Sequence, residues 1–300
     1  MASSKPPFVP AWDPEQEPAP YLVSAAQVQH VQDYMSGQIG ADECAARLTE
    51  RVQGLDAEGM SSGVWAINTF INHSAAANLP YQPQLLSLVR AVQNLPALEV
   101  PEPKEDEDGG YISLGDEGNK LWADMPGFGH SWGDDLMAFQ YTLYDKPETK
   151  DAASTWANAQ AWSARLVSLH DSRIASDYFM DFASYPIVHV LERDANPLAT
   201  LELPAAALAF RVGAAELLRL CRAGCRPDAS CALDEGFDDV APFNKGRGGK
   251  GLWTGAGGYS LERWGFWKRR WQELGDEGRG GDVDAVAVLE AMSEAEKVSL

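Results

Sequence analysis

An all-α fold of packed antiparallel helical hairpins is what this chain predicts, and three observations carry that expectation. Apolar residues recur at intervals of three and four through several stretches. No alternating Val, Ile, Thr or Tyr run exceeds about four residues, and short turns holding Gly or Pro separate the stretches. Hairpins of this kind can also stack, so a solenoid-like arrangement is one form the pattern allows.

The elements follow in order. Residues 1–20 hold six prolines and no periodicity, the composition of a disordered start. An N-terminal helical lobe is expected over 21–95. Its helices run from about Ser24 to Ser36, Ala41 to Val52 (on Cys44, Leu48 and Val52), Ser61 to Ser74, and Gln82 to Asn94 with Pro83 in the first turn. From 96 to 118 the chain carries Pro101, Pro103, the Glu105-Asp106-Glu107-Asp108 run and Gly109-Gly110, which reads as an acidic linker or insertion.

A main helical lobe is expected over 119–275. Its helices run from about Asp134 to Tyr144, Glu148 to His170, Ser172 to Ser184, Pro186 to Arg193, and Leu203 to Cys221, and the lobe closes on a helix capped by Ser260. On that last helix Leu261, Trp264, Trp267, Trp271 and Leu274 form one apolar stripe. Trp156, Ala159, Trp162, Leu166 and Leu169 repeat the same spacing. Tyr259 is placed to staple onto Trp264. Residues 276–300 form a tail with a weak amphipathic helix.

Composition narrows the function classes. Forty-four acidic against twenty-four basic residues leave a formal charge of −20, which repels nucleic acid and anionic membrane, so no nucleic-acid partner is expected. No segment approaches eighteen apolar residues, and Met1 to Trp12 resembles neither a signal peptide nor a span, so no membrane association is expected. Four cysteines without a secretory signal point to a reducing compartment, cytoplasmic or nuclear. The charge is uneven: eight acids and one lysine lie between Glu99 and Glu117, but seven basic residues and one acid between Asn244 and Arg270. Docking of the basic segment on an acidic partner, or on the chain's own acidic stretch, is one consequence.

The Ser-Leu-Glu-Arg-Trp-x-x-Trp-Lys string at 260–268, preceded by Gly251-Leu252-Trp253, resembles the C-terminal hallmark of an uncharacterised family of helical proteins from filamentous fungi. Ala161 to Leu166, the Ala-rich run from Ala206 to Leu218 with Gly213, and the Tyr34–Leu48 region are similar to other parts of that family. The resemblance implies an all-helical fold and a fungal origin. It brings no activity and no catalytic residues.

Other chemistries fall short of their requirements. Gly59-Met60-Ser61-Ser62-Gly63 matches G-x-S-x-G, but the polar helical residues before it cannot be the buried strand of a nucleophile elbow, and Ser61 or Ser62 reads as a helix cap. Asp134 and Asp135 lack the further carboxylates of a diphosphate-metal site and read as first-turn acids on a helix dipole. Cys221, Cys225 and Cys231 contain no C-x₂-C pair and would need a fourth ligand such as His189. His30, His73, His130, His170 and His189 read as caps or satisfied surface residues, and Lys245 to Gly251 as a loop without the P-loop spacer.

No cofactor, metal or complete catalytic constellation is called for, and a non-catalytic protein-interaction or scaffold module with a protein partner is the expectation. Its candidate binding residues are Arg165, Arg263, Trp264, Trp267, Lys268, Arg269 and Arg270, because Arg and Trp together anchor interfaces. The alternative is a small-molecule-binding protein or enzyme. Its pocket would lie between helices, lined by Trp156, Trp162, Trp264 and Trp267, with Arg165 and Arg263 as anion contacts.

Overall fold

The computed structural model describes residues 7–10, 23–98, 121–146, 151–169, 176–193, 199–226, 251–278 and 283–298. Among them the chain is all-α: helices pack on helices, and the one extended pairing is an isolated bridge between Arg193 and Gly251. The acidic stretch from Glu99 to Glu117, the Lys245–Lys250 string, Cys231 and His170 lie outside the described residues. Two compact units divide the chain, with the boundary inside one helix, between Met137 and Ala138.

The first unit is built from α1 (Ala25–Met35), α2 (Ala41–Thr49), α3 (Ala57–Ala77), α4 (Gln82–Gln93), α5 (Leu121–Asp124) and the first half of α6 (Phe128–Asp145). Ser24 and Gln27 close a capping box on α1. The Cys44, Leu48 and Val52 stripe is buried as its spacing predicts, although a 3₁₀ turn over Glu50–Gly54 carries Val52. α3 begins earlier than expected because Asp56, not Ser61 or Ser62, is its cap, accepting the Gly59 N–H at 3.0 Å. Ser61 then sits inside the helix, buried. Residues 7–10 are tied to this unit: Val9 exchanges two backbone hydrogen bonds with the Asn78 side chain, and Phe8 meets Tyr81 edge-on.

The second unit holds the rest of α6, then α7 (Ala152–Leu166), α8 (Ser176–Leu191), α9 (Ala199–Ala223), α10 (Leu261–Asp276) and α11 (Ala285–Val298). α7 begins after Asp151, which takes φ +79° and so cannot continue a helix from Glu148. The two helices expected on either side of Pro186 are one. Pro186 lies inside α8, where burial of Ile187, Val188, Val190 and Leu191 outweighs the lost N–H. α11, expected as a weakly amphipathic tail, docks with Val288 and Met292 fully buried against this core.

α7 and α9 form the tightest pairing in the unit, and small residues make it so. A Cβ at Gly213 would lie 2.8 Å from Ala164 Cβ and 3.2 Å from the Ala164 carbonyl oxygen. A glycine in mid-helix costs about 1 kcal/mol relative to alanine, so Gly213→Ala on an open face would stabilise. Here the sign reverses. Gly213→Val is expected to lower the unfolding free energy by about 1–3 kcal/mol through overpacking, as read from urea denaturation.

Candidate functional site

α10 carries nearly all the residues singled out from sequence, and its inner face is engaged within the second unit. Ser260 caps it, its Oγ accepting the Arg263 N–H at 3.0 Å. Arg263, 2% exposed, points inward and forks onto the Glu192 carboxylate just beyond α8, with Nε to Oε1 at 2.7 Å and Nη2 to Oε2 at 2.6 Å. Its Nη1 donates to the Gly258 carbonyl at 3.0 Å, and Trp267 Nε1 donates to Glu192 Oε1 at 2.6 Å. The rings of Trp253 and Trp267 lie 5.4 and 6.0 Å from the guanidinium carbon, and Leu252 N–H donates to the Glu192 backbone. A buried ion pair is tolerable only when its remaining donors and acceptors are met, and this one is built that way.

The tryptophans complete the clasp. Phe210 of α9 receives Trp264, Trp267 and Trp271 edge-on, each with ring centroids about 6 Å away. Tyr259 meets Trp267 edge-on, and its hydroxyl donates to the Met180 carbonyl at 2.6 Å. Trp264 Nε1 and Lys268 Nζ both donate to Glu296 of α11, at 2.9 and 2.7 Å. Arg270 donates to the Leu191 carbonyl and pairs with Glu273. Arg165 is half-buried on α7, and burial lowers its pKa.

Two of the sequence-predicted residues stand differently. Leu261, placed on the apolar stripe, is 57% exposed, because it opens the helix before the packed turn begins. Arg269 is exposed, with no hydrogen-bond or ion-pair partner among the described residues.

A profile of one protein family, described as a protein of unknown function (DUF3632), matches residues 70–271, about two-thirds of the chain. The chain belongs to the DUF3632 family. That range runs from α3 to the last clasp tryptophan, Trp271, so the Ser260–Lys268 string lies within the DUF3632 match. Neither the curated proteins nor the solved structures offer a match to this DUF3632 chain.

Sequence reasoning missed a second buried polar group in this DUF3632 protein. Glu202 of α9 is fully buried. It accepts from the Tyr144 hydroxyl and meets His189 Nδ1 at 3.2 Å. Gln140 Nε2 donates to the hydroxyls of Tyr144 and Tyr185, and the Tyr185 ring lies 4.1 Å from that of His189. His189 is therefore a core residue, not a cap or a surface one. The available signal was its place, like that of Glu202, inside an apolar run, where a polar group must find a partner.

The remaining chemistries resolve into packing. Gly59 and Gly63 lie under Leu55 and Val52, where Cβ atoms would come within 3.0 and 2.8 Å, so the G-x-S-x-G string is a helix-packing stripe. A cavity of about 330 Å³ beside it is lined by Arg51, Asp56 and Ser62 among others, and among the described residues no histidine lines it to activate a serine. Asp135 sits mid-helix rather than in a first turn; burial pushes its carboxyl up, opposed by a 2.8 Å hydrogen bond with His73. Burial pushes the Cys44 and Cys221 thiols up to about 12, so neither is a ready nucleophile. Among the described residues no three His, Cys, Asp or Glu side chains meet as a metal site.

Glu296 makes the docking of α11 depend on pH. Burial raises its pKa, but the bonds from Lys268 and Trp264, with the Lys268 and Arg222 charges, outweigh burial and hold the carboxyl below the usual range. A lowered folded-state pKa gives stability that is present above the ordinary glutamate range and is lost as pH falls through the folded value. Acid is thus expected to loosen α11. Urea unfolding at neutral and acid pH should show a smaller acid loss for Glu296→Gln than for the wild type.

Proposed function

We propose that this DUF3632 chain is a non-catalytic protein-interaction module whose docking surface is the outward face of α10. One observation carries the reading: the inner face is closed by the Glu192–Arg263–Trp267 clasp, whereas the outer face presents exposed Leu261, Gly265, and Glu262 and Arg269 without an ion-pair partner among the described residues. Lys268 and Arg270 stand at its edges, each already in an ion pair that shapes the helix more than it recruits a partner. The formal charge of −20 favours a protein partner over nucleic acid. Among the described residues no helix is long and apolar enough to cross a membrane. A cytoplasmic or nuclear setting and a fungal source fit the same reading.

Affinity purification from a native extract, comparing wild type with Leu261→Asp/Arg269→Glu, tests it. A stoichiometric protein partner lost in the variant is the expected result. Retention of a small molecule with no protein partner would overturn it.

A second reading keeps a small-molecule role and rests on the Glu202 network. The tryptophan-lined pocket expected from sequence is occupied by the protein's own packing, since Trp156, Trp162, Trp264 and Trp267 are each at most 3% exposed and Arg263 is committed to Glu192. Half-buried Tyr144 and Tyr185, joined through Gln140 and with Tyr144 bonded to Glu202, are the better-supported place for a ligand. A metabolite held by the wild type and lost from Glu202→Gln in native mass spectrometry would favour this reading.

A further inference from the structure

The outer face of α10 is complementary to itself. We infer that the docking surface proposed above takes a second copy of this chain, with α10 pairing antiparallel to α10 across a two-fold axis; this rests on the reading of that face as a docking surface. An isologous interface must place every residue of the patch opposite its own complement. Glu262 and Arg269 are exposed and carry no ion-pair partner among the described residues, and they stand seven positions apart, two turns along one face. In an antiparallel register centred between Gly265 and Phe266, Glu262 of each copy falls opposite Arg269 of the other. Two intermolecular ion pairs form by symmetry. A parallel pairing would instead set Glu262 against Glu262 and Arg269 against Arg269.

Shape selects the same register. Gly265 lies in the interior of a 16-residue helix, where a glycine is costly, and no described residue of its own chain requires it: among them a Cβ there would meet only Arg269 Nη1, at 3.7 Å. In the centred register Gly265 faces the half-buried Phe266 ring of the second copy, itself backed by Trp253 at 5.4 Å. The missing side chain becomes the hollow that receives that ring. Beyond the centre, Glu273 and Asp276 extend past Leu261, the first residue of the second copy's α10, so they meet no acid of that helix.

A helix of this length spans about 24 Å. A contact confined to it is smaller than the interfaces of obligate dimers, so the dimer is weak and reversible. Repulsion between two chains of charge −20 opposes it at long range and is screened beyond about 8 Å at physiological ionic strength.

Sedimentation equilibrium of the full chain at about 0.15 M salt tests the pairing. The wild type should show a concentration-dependent monomer–dimer equilibrium. Glu262→Arg and Arg269→Glu should each weaken it at least tenfold, and the double swap should restore it to within about threefold, since only the swapped pair regains opposite charges. Gly265→Gln should abolish dimers while raising the melting temperature of the monomer, which separates loss of pairing from loss of folding. A wild type that stays monomeric at every concentration overturns the inference, as does a double swap no tighter than the singles. If the monomeric chain still retains a different protein through Arg269, the pairing fails and the docking surface stands; if it retains none, both fail.

Discussion

Glu192→Ala is expected to lower the unfolding free energy of the second unit by about 3–5 kcal/mol, the usual consequence of removing one member of a buried ion pair. The substitution strands Arg263, 2% exposed, whose Nε and Nη2 lose their acceptors, and it strands the Trp267 indole N–H as well. Desolvated cations and donors without acceptors are far costlier than the bond itself is favourable. Glu192→Gln keeps an acceptor oxygen and the side-chain volume, so it should fall between wild type and alanine. Amide hydrogen exchange localises the effect: protection should drop first in α10 and in the Leu252–Trp253 segment, whose Leu252 N–H is held by the Glu192 carbonyl.

Trp264→Ala is the second large effect, at about 3–5 kcal/mol, because the ring is buried against Phe210 and its removal leaves a cavity the surrounding helices cannot close. A Trp264 lying on a contact surface would give almost no change. Trp264→Phe separates the two contributions of this side chain. It retains most of the apolar area and removes only the indole donor to Glu296, so it should cost about 0.5–1.5 kcal/mol. It should also shift the acid sensitivity of α11 in the direction of Glu296→Gln, since one of the two donors that lower the Glu296 pKa is gone.

Local signals were legible where the physics is local. The Ser260 cap, the Trp264, Trp267 and Trp271 stripe, the buried Cys44 and Leu48 positions and the helical class all follow from spacing and capping chemistry, and they stand in the structure. Pairings between distant residues were not legible. Arg263 reads in sequence as one of four basic residues beside an aromatic face, and only the fold brings Glu192, 71 positions earlier, to its guanidinium. The same is true of Lys268 with Glu296 and of His189 with Tyr144 and Glu202. Charge clusters therefore overstated the free basic surface of α10. Four cations were visible at Arg263, Lys268, Arg269 and Arg270, and Arg269 is the one left without a partner among the described residues.

Helix ends failed for a different reason. Pro186 and the G-x-S-x-G glycines are punctuation in a sequence, but packing overrode both. α8 runs through Pro186 because its apolar side is buried on both sides of the proline, and α3 absorbs Gly59 and Gly63 because Leu55 and Val52 need that space.

A double-mutant cycle on Glu192 and Arg263, read by urea unfolding, tests most directly the claim that the Ser260–Lys268 string is an internal clasp and not a contact surface. With Glu192→Met, Arg263→Met and the double variant, each single should lose about 3–5 kcal/mol. The double should lose clearly less than the sum, because a matched apolar pair leaves no buried charge behind. Singles that each cost under about 0.5 kcal/mol, or losses that simply add, would contradict the clasp and return Arg263 to the solvent-facing role its sequence first suggests.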